Sequence, residues 1–393
     1  MNLLNILETT AAVYFHGFGL YIATLAVAGR LRRNKEGIST KDQYKISVML
    51  PAYKEDAVIV DSAKRALKQT YNATMYEVCV IADSLQPETL AELRKLPIRV
   101  CEVHFEKSTK AKALNRALAE ADSDTDIAII LDADNVMAPD FLRRIAWGFE
   151  QGYRAIQGRR VAKNMNTRFA ILDSASESIN NHIFRQGHNA IGLSSSIIGS
   201  GVAFDFTMLK ELMEKNKAVG GFDRILQLQT IARGHNIQYF KFAEVEDEKV
   251  ENAEVFQNQR KRWLSSQFKN LGQYFVPAIK QLFKGRISYF NLVFQNLLLP
   301  RVILLGGIVL LTGAAVVFPE YSYFGRGFWL AGLGLYVGAF TVALGRFAFD
   351  KRLLKAAISL PKAFFKMFLL LFKLKNADKT FIHTPHMHTN ASK

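Results

Sequence analysis

Cysteine is nearly missing from this chain: Cys79 and Cys101 are the only two among 393 residues. Each lies in an apolar, strand-like run, and no paired spacing of the zinc-binding kind exists. Both read as small core side chains in a reducing compartment. No G-x-G-x-x-G follows a strand-like run and no Walker loop occurs, which removes the dinucleotide-fold and P-loop readings. No internal repeat or low-complexity segment is present, and no small-residue cleavage site follows the first apolar run, so that run is expected to stay as an anchor. Negative charge is also in short supply, with 35 acidic residues against 51 basic ones, a net charge of +16.

The excess of base could serve nucleic acid, anionic lipid or a phosphorylated substrate. Its placement decides among them. Arg30, Arg32, Arg33 and Lys35 follow directly on the apolar stretch 11–29, and Lys351-Arg352 follow the stretch 327–349. Basic clusters at the ends of apolar runs are membrane topology signals, so no nucleic-acid partner is expected. A third run, 297–318, is also long enough to span a bilayer, which takes about 20 apolar residues. The charge bias puts residues 30–295 in the cytosol and the connection 319–326 outside. Two further stretches, 264–283 and 360–374, mix phenylalanine with lysine at helical spacing and are expected to lie in the headgroup plane.

Between residues 45 and 162 the chain alternates strand and helix. Strands are expected over 46–50, 76–81, 98–103 and 127–131, and helices over 55–69, 87–93, 109–121 and 139–149. That order predicts an α/β unit with a parallel sheet covered on both faces, its ligands at the carboxyl ends of the strands. Those ends carry Pro51-Ala52-Tyr53-Lys54-Glu55, then Ala82-Asp83-Ser84, then Asp132-Ala133-Asp134. Carboxylates one residue apart on a strand point to opposite faces unless the chain bends there. With a bend they make a hard-cation site suited to Mg2+ or Mn2+ with phosphate as co-ligand.

Six motifs, in order, carry a resemblance: Pro51 to Glu55 with Asp83, Lys110-x-x-Ala113-Leu114-Asn115, Asp132-Ala133-Asp134, Gly199-Ser200-Gly201, Asp223, and Gln259-Arg260-Lys261-Arg262-Trp263. The last fits Gln-x-x-Arg-Trp, the most restrictive of them. Over residues 46–263 the chain resembles the membrane-embedded family 2 glycosyltransferases, which include the cellulose, chitin and hyaluronan synthases. The resemblance implies a GT-A-type, Rossmann-like cytosolic domain with transmembrane and interfacial helices. Residues 1–35 would form an anchor, 36–263 the transferase domain, 264–295 interfacial helices, 296–350 two spans, and 351–393 an interfacial helix and tail.

By the same resemblance, Ala52, Tyr53, Glu55 and Asp83 would hold the nucleobase and ribose of a UDP-sugar. Lys110 would meet the diphosphate, Asp134 the divalent metal, and Asp132 the ribose, sugar or metal. Gly199, Ser200 and Gly201 would let backbone approach the acceptor. Asp223, in Gly220-Gly221-Phe222-Asp223, would be the general base; the family's usual acidic neighbour before it is replaced by Phe222. Glu246, Asp247, Glu248 and Asp205 are the alternative carboxylates. Gln259, Arg262 and Trp263 share one face of a helix over 254–265, Arg262 toward the diphosphate and Trp263 as a platform for the acceptor sugar. The tail segment 380–389, with His383, His386 and His388, weakly resembles a loop that folds over bound nucleotide.

The expected activity is inverting, metal-dependent transfer from a UDP-sugar to a polysaccharide or oligosaccharide at the cytosolic face of the cell membrane. Processive addition and an export or oligomeric partner remain open. A lipid glycosyltransferase acting on ceramide or diacylglycerol is the alternative, and an inactive nucleotide-binding subunit of a polysaccharide export complex is a third.

Overall fold

The computed structural model describes residues 2–33, 35–216, 221–249 and 253–371, the side chains of 253–259 and 262 excepted. The strands are β1 (Ile46–Tyr53), β2 (Tyr76–Asp83), β3 (Arg99–Val103), β4 (Ile127–Ile130), β5 (Val136–Met137), β6 (Ala155–Ala162), β7 (Val202–Asp205) and β8 (Gln238–Asp247). Within this body lie α2 (Ile59–Ala66), α3 (Pro87–Leu93), α4 (Lys110–Glu120), α5 (Phe141–Glu150), α6 (Arg168–Asn180), α7 (His188–Ala190), α8 (Phe206–Glu214) and α9 (Phe222–Ala232). Helix α1 (Leu3–Leu31) precedes it; α10 (Ala253–Phe283), α11 (Ile287–Phe294), α12 (Arg301–Val317), α13 (Gly325–Leu344), α14 (Lys351–Ala357) and α15 (Leu360–Leu371) follow.

The eight strands of the described residues form one sheet in the order β3-β2-β1-β4-β7-β6-β8-β5. Side chains alternate between its faces. Val48, Leu50, Val78 and Val80 pack with Ile59, Ala63 and Ile145 on one side. Met49, Cys79, Ile81 and Cys101 pack with Leu114, Leu118 and Leu209 on the other. Both cysteines are thus free core residues, as expected.

The sheet is not wholly parallel. Strands β1 to β4 pair in parallel, but β7 runs antiparallel to both β4 and β6, and β5 antiparallel to β8. The expectation of a parallel sheet followed from the alternation read over residues 45–162, which ends before β7; β7 enters from the loop 191–201, and a strand returning by a loop can pair in either sense. The reversal has a consequence for the site. It pairs Ile130 with Val202 and so lays the loop before β7 alongside the Asp132 turn.

Helices α1 and α13 are long and apolar enough to cross a membrane. They run side by side in the same direction: Glu8 bonds the Trp329 indole at 2.9 Å, His16 reaches the Phe328 carbonyl at 3.0 Å, and Gly345 lies beside Arg30. Helix α12 packs beside α13, where the Thr312 hydroxyl donates to the Trp329 carbonyl at 3.1 Å. Within the run expected to span over 297–318, Pro300, without an N–H, opens α12 at Arg301, and the preceding segment Ile287–Leu297 meets it at a 61° bend. By length and composition the bent pair, taken together, would count as one further span.

The two helices expected at 254–265 and 264–283 are a single α10 with Pro277 inside it. One face of α10 packs on the protein, where Leu271 and Ala278 meet Leu228, Ile231 and Tyr289. Phe268, Phe275 and Phe283 stay exposed on it, as Phe365, Phe368 and Leu369 do on α15. The α/β body is joined to α1 by a close crossing. A Cβ on Gly187 would strike the Leu25 carbonyl, and one on Gly29 would lie 3.0 Å from the His182 carbonyl. The tail segment 380–389 and Gly220 lie outside the described residues.

Candidate active site

The carboxyl ends of β1 and β2 each turn through a non-glycine residue in the left-handed region, Lys54 (φ 56°) and Ser84 (φ 59°). Such backbone is uncommon outside glycine and concentrates at functional turns. The Lys54 amide donates to the Asp83 carbonyl at 3.1 Å, tying the two ends together. Tyr53 and Asp83 are register partners, so both stand at the same edge of the sheet with Glu55 just beyond. Asp83 is buried at 2% exposure, and the Ser84 hydroxyl donates to its Oδ1 at 3.0 Å.

Strand β4 stops at Ile130 and the chain then turns, the Asn135 amide donating to the Asp132 carbonyl at 3.0 Å. This is the bend that the sequence required if Asp132 and Asp134 were to share a site, and both line one cleft. Ser200 fixes it. The Asp132 amide donates to Ser200 Oγ at 2.9 Å, and that hydroxyl donates onward to Asn135 Oδ1 at 3.1 Å. Ser200 is therefore buried at 1% and its polar atoms are spent inside the protein. Gly201 (φ 58°) packs against β8, where an added Cβ would lie 2.8 Å from Val245. Ser200 and Gly201 do not line the cleft; here they brace the aspartate turn.

Lys110, in the first turn of α4, forms an ion pair with Asp132 and donates to the Gly199 carbonyl at 2.7 Å. Its ammonium also sits 5.3 Å from the centre of the Phe222 ring. Phe222 is 8% exposed and belongs to the core beneath the sheet, so the residue that stands in place of an acid is a packing residue and a cation–π partner for Lys110. Asp223 follows it in the first turn of α9, after Gly221 in the left-handed region (φ 67°). Its Cβ lies within van der Waals reach of a Cβ built on Gly199, at 3.6 Å, which places Asp223 beside the Lys110–Asp132 pair.

Trp263 is 48% exposed and lines the same cleft, with the Arg260 guanidinium 4.7 Å from its ring centre. Arg260 is anchored by Asp173 of α6 at 3.0 Å. The side chains of Gln259 and Arg262 lie outside the described residues. Among the alternative carboxylates, Asp247 and Glu248 line the cleft, whereas Asp205 caps α8 and pairs with Arg154 away from it.

Helix α6 supplies what the motifs did not reveal. Its Glu177 accepts from Arg160 at 2.7 Å and from Arg185 at 2.8 Å, and Asp247 accepts from Lys249 at 2.7 Å. Burial alone would raise the Glu177 carboxyl, but the two guanidiniums hold it well below the ordinary range. No sequence signal marked Asp173 or Glu177, because an acid on a helix with no neighbouring motif looks like a solvated face.

The cleft has a volume of about 1840 Å³ and does not end at the polar residues. It continues past Trp263 and Arg301 along Leu304, Val337, Phe340 and Leu353, which belong to α12, α13 and α14. Among the described residues no group of three His, Cys, Asp or Glu side chains converges on one ion position. The donor set nevertheless fits a divalent ion of the magnesium or manganese kind, which takes one or two carboxylates and fills its shell with water and phosphate oxygens.

A family model described as glycosyltransferase-like family 2 matches residues 43–266. The chain belongs to that family. A β-monoglucosyldiacylglycerol synthase from Nostoc sp. is 25% identical over 297 residues, covering 74% of this chain and 62% of that protein. A glucans biosynthesis glucosyltransferase H from Rhodopseudomonas palustris is 30% identical over 184 residues, 40% of this chain and 26% of that protein. The chain thus spans under two thirds of the length of either relative. A mannosyltransferase from Pyrobaculum calidifontis, solved with GDP-Man and Mn2+, superposes with a TM-score of 0.52 at 16% identity, over 89% of this chain and all of that one. That likeness speaks to the GT-A fold.

Proposed function

We propose that this family 2 protein transfers a hexose from a UDP-sugar to the hydroxyl of a membrane lipid, with inversion at the anomeric carbon. The observation that carries the reading is the continuity of the cleft: carboxylates and Lys110 at one end, then a wall of apolar side chains from α12, α13 and α14, with Lys269 of α10 and Lys362 and Lys366 of α15 also lining it. A glycan would leave such a lining wet, whereas acyl chains gain from burial there. The resemblance of the chain to a glucosyldiacylglycerol synthase supports it. Elongation of a glycan is the second reading, favoured by the half-exposed Trp263 on the cleft wall and by the match to a glucan glucosyltransferase.

Tyr53, Glu55 and Asp83 would hold uridine. Asp132 and Asp134 would hold a divalent ion, which when bound would supply Lewis-acid stabilisation to the diphosphate. Lys110 would exchange its pair with Asp132 for the leaving diphosphate. Asp223, adjacent to that pair, would take the proton of the acceptor hydroxyl as its oxygen attacks the anomeric carbon. The catalytic body would face the cytosol, the side on which Arg30 and Arg346 end α1 and α13.

The experiment is UDP release by purified protein with a panel of nucleotide sugars, with diacylglycerol or an oligosaccharide as acceptor. Diacylglycerol-dependent release and a glycolipid product are expected. Release only with the oligosaccharide would replace the lipid reading by the glycan one, and no release with any donor would leave a nucleotide-binding subunit. Asp223→Asn should abolish transfer and leave UDP affinity within about twofold of wild type; retained activity would assign the base elsewhere.

A further inference from the structure

Behind α6, on the side away from the aspartates, a second cavity of about 500 Å³ opens where the last turns of α1 and α13 meet β6. Its floor is formed by buried polar side chains that are occupied within the protein. Asn181 donates to the Arg160 carbonyl at 2.8 Å, Gln186 donates to the Gly29 carbonyl at 2.6 Å, and His182 bonds the Ala26 carbonyl at 2.8 Å. Its walls carry six cations, Arg30, Arg159, Arg160, Lys241, Arg346 and Arg352, against one carboxylate, Glu177.

Three of these cations are answered: Arg159 by Glu244 at 3.0 Å, Arg160 by Glu177 at 2.7 Å, and Arg352 by Asp350 at 2.8 Å. Among the described residues Arg30, Lys241 and Arg346 have no carboxylate partner. Burial lowers the His182 imidazole, and the charges of Arg30 and Lys241 lower it further, so the positive potential reaches the cavity floor. Like charges gathered around a recess repel one another, and an anion seated there converts that cost into attraction.

We propose that this cavity binds the phosphate of an anionic phospholipid headgroup, at a site separate from the sugar-transfer cleft. Two features select a lipid over a soluble phosphate. Arg30 ends α1 and Arg346 follows α13, both helices long and apolar enough to cross a membrane, so the recess lies at the level where headgroups sit. Its rim is apolar on that side, with Leu344 and Phe347 beside Arg346, as a place for the glycerol and first acyl carbons requires. Arg160 and Glu177 line both cavities, so an occupied headgroup site would brace the α6 wall of the cleft.

The test is lipid retention by native mass spectrometry, with thermal unfolding alongside, of the full chain in dodecylmaltoside. The additions are phosphatidylglycerol, phosphatidylcholine, glycerol 3-phosphate or inorganic phosphate. One phosphatidylglycerol should be retained and raise Tm, with little effect from the other three. Arg30→Gln/Arg346→Gln should weaken that retention by roughly fivefold per cation removed. Lys351→Gln/Lys355→Gln, which removes equal charge from exposed positions of α14 outside the cavity, should not. Should the glutamine pair fail to fold, Lys241→Gln alone is expected to weaken retention about fivefold. Equal losses in both double variants would reduce the effect to attraction by the bulk surface and overturn the site. Equal retention of phosphatidylcholine, or stabilisation by inorganic phosphate matching that of the lipid, would overturn the assignment to an anionic lipid.

Discussion

Replacing Glu177 by Gln keeps the shape of the side chain and removes one charge from the wall shared by the two cavities. In the native protein Arg160, Arg185 and Lys249 surround Glu177 and Asp247, three positive charges against two negative. The variant leaves three against one, with Arg185 only 2% exposed and unable to recover its hydration. Removing one partner of a buried pair costs about 3–5 kcal/mol, and the lower end applies because Arg160 retains 17% exposure. At roughly 2–4 °C per kcal/mol for a domain of this size, Tm in detergent should fall by about 6–12 °C at pH 7.

The pH dependence has a definite sign. A carboxyl held below its ordinary value stabilises the fold fully above that value and loses its contribution as pH falls through the folded pKa. The Tm gap between wild type and Glu177→Gln should therefore be constant near neutrality and narrow only below about pH 4.5, the ordinary glutamate value. Adding Arg185→Gln to Glu177→Gln should cost less than Arg185→Gln alone, because its partner is already gone. A loss under about 1 kcal/mol, or strict additivity in the double variant, would refute the claim that this pair is a buried, mutually dependent unit.

Asp134→Asn should abolish Mn2+-dependent UDP binding measured by calorimetry while leaving Tm within a few degrees; unchanged metal dependence would remove Asp134 from the ion's donors. Gly187→Ala should cost about 1–3 kcal/mol, since its Cβ would press on the Leu25 backbone, which cannot step aside. Gly272→Ala in α10 is its control: nothing lies within 4 Å, and about 0.5–1 kcal/mol of stabilisation is expected from the helix alone. Burial pushes the thiols of Cys79 and Cys101 up to about 12 and about 11, so neither should react with an aqueous maleimide at pH 8 until denaturant is added. Labelling of the folded protein at a free-thiol rate would contradict their placement in the core.

Sequence alone was enough for the elements whose cause is local. Uninterrupted apolar runs made β1 to β4; Pro87 opens α3, which matches its expected range, and the Thr109 side chain caps α4. Motif order along the chain named the aspartates, Lys110, Asp223 and Trp263, which the fold gathers around one cleft. What depended on contacts between distant segments could not be read in advance. The antiparallel entry of β7 and the bracing role of Ser200 both arise where segments far apart in the chain meet and share hydrogen-bonding groups. The charge cluster of α6 is the plainest case. Glu177 has no periodicity or motif to announce it, and its value comes from Arg160 and Arg185 being brought within 3 Å of it where little solvent reaches the carboxylate.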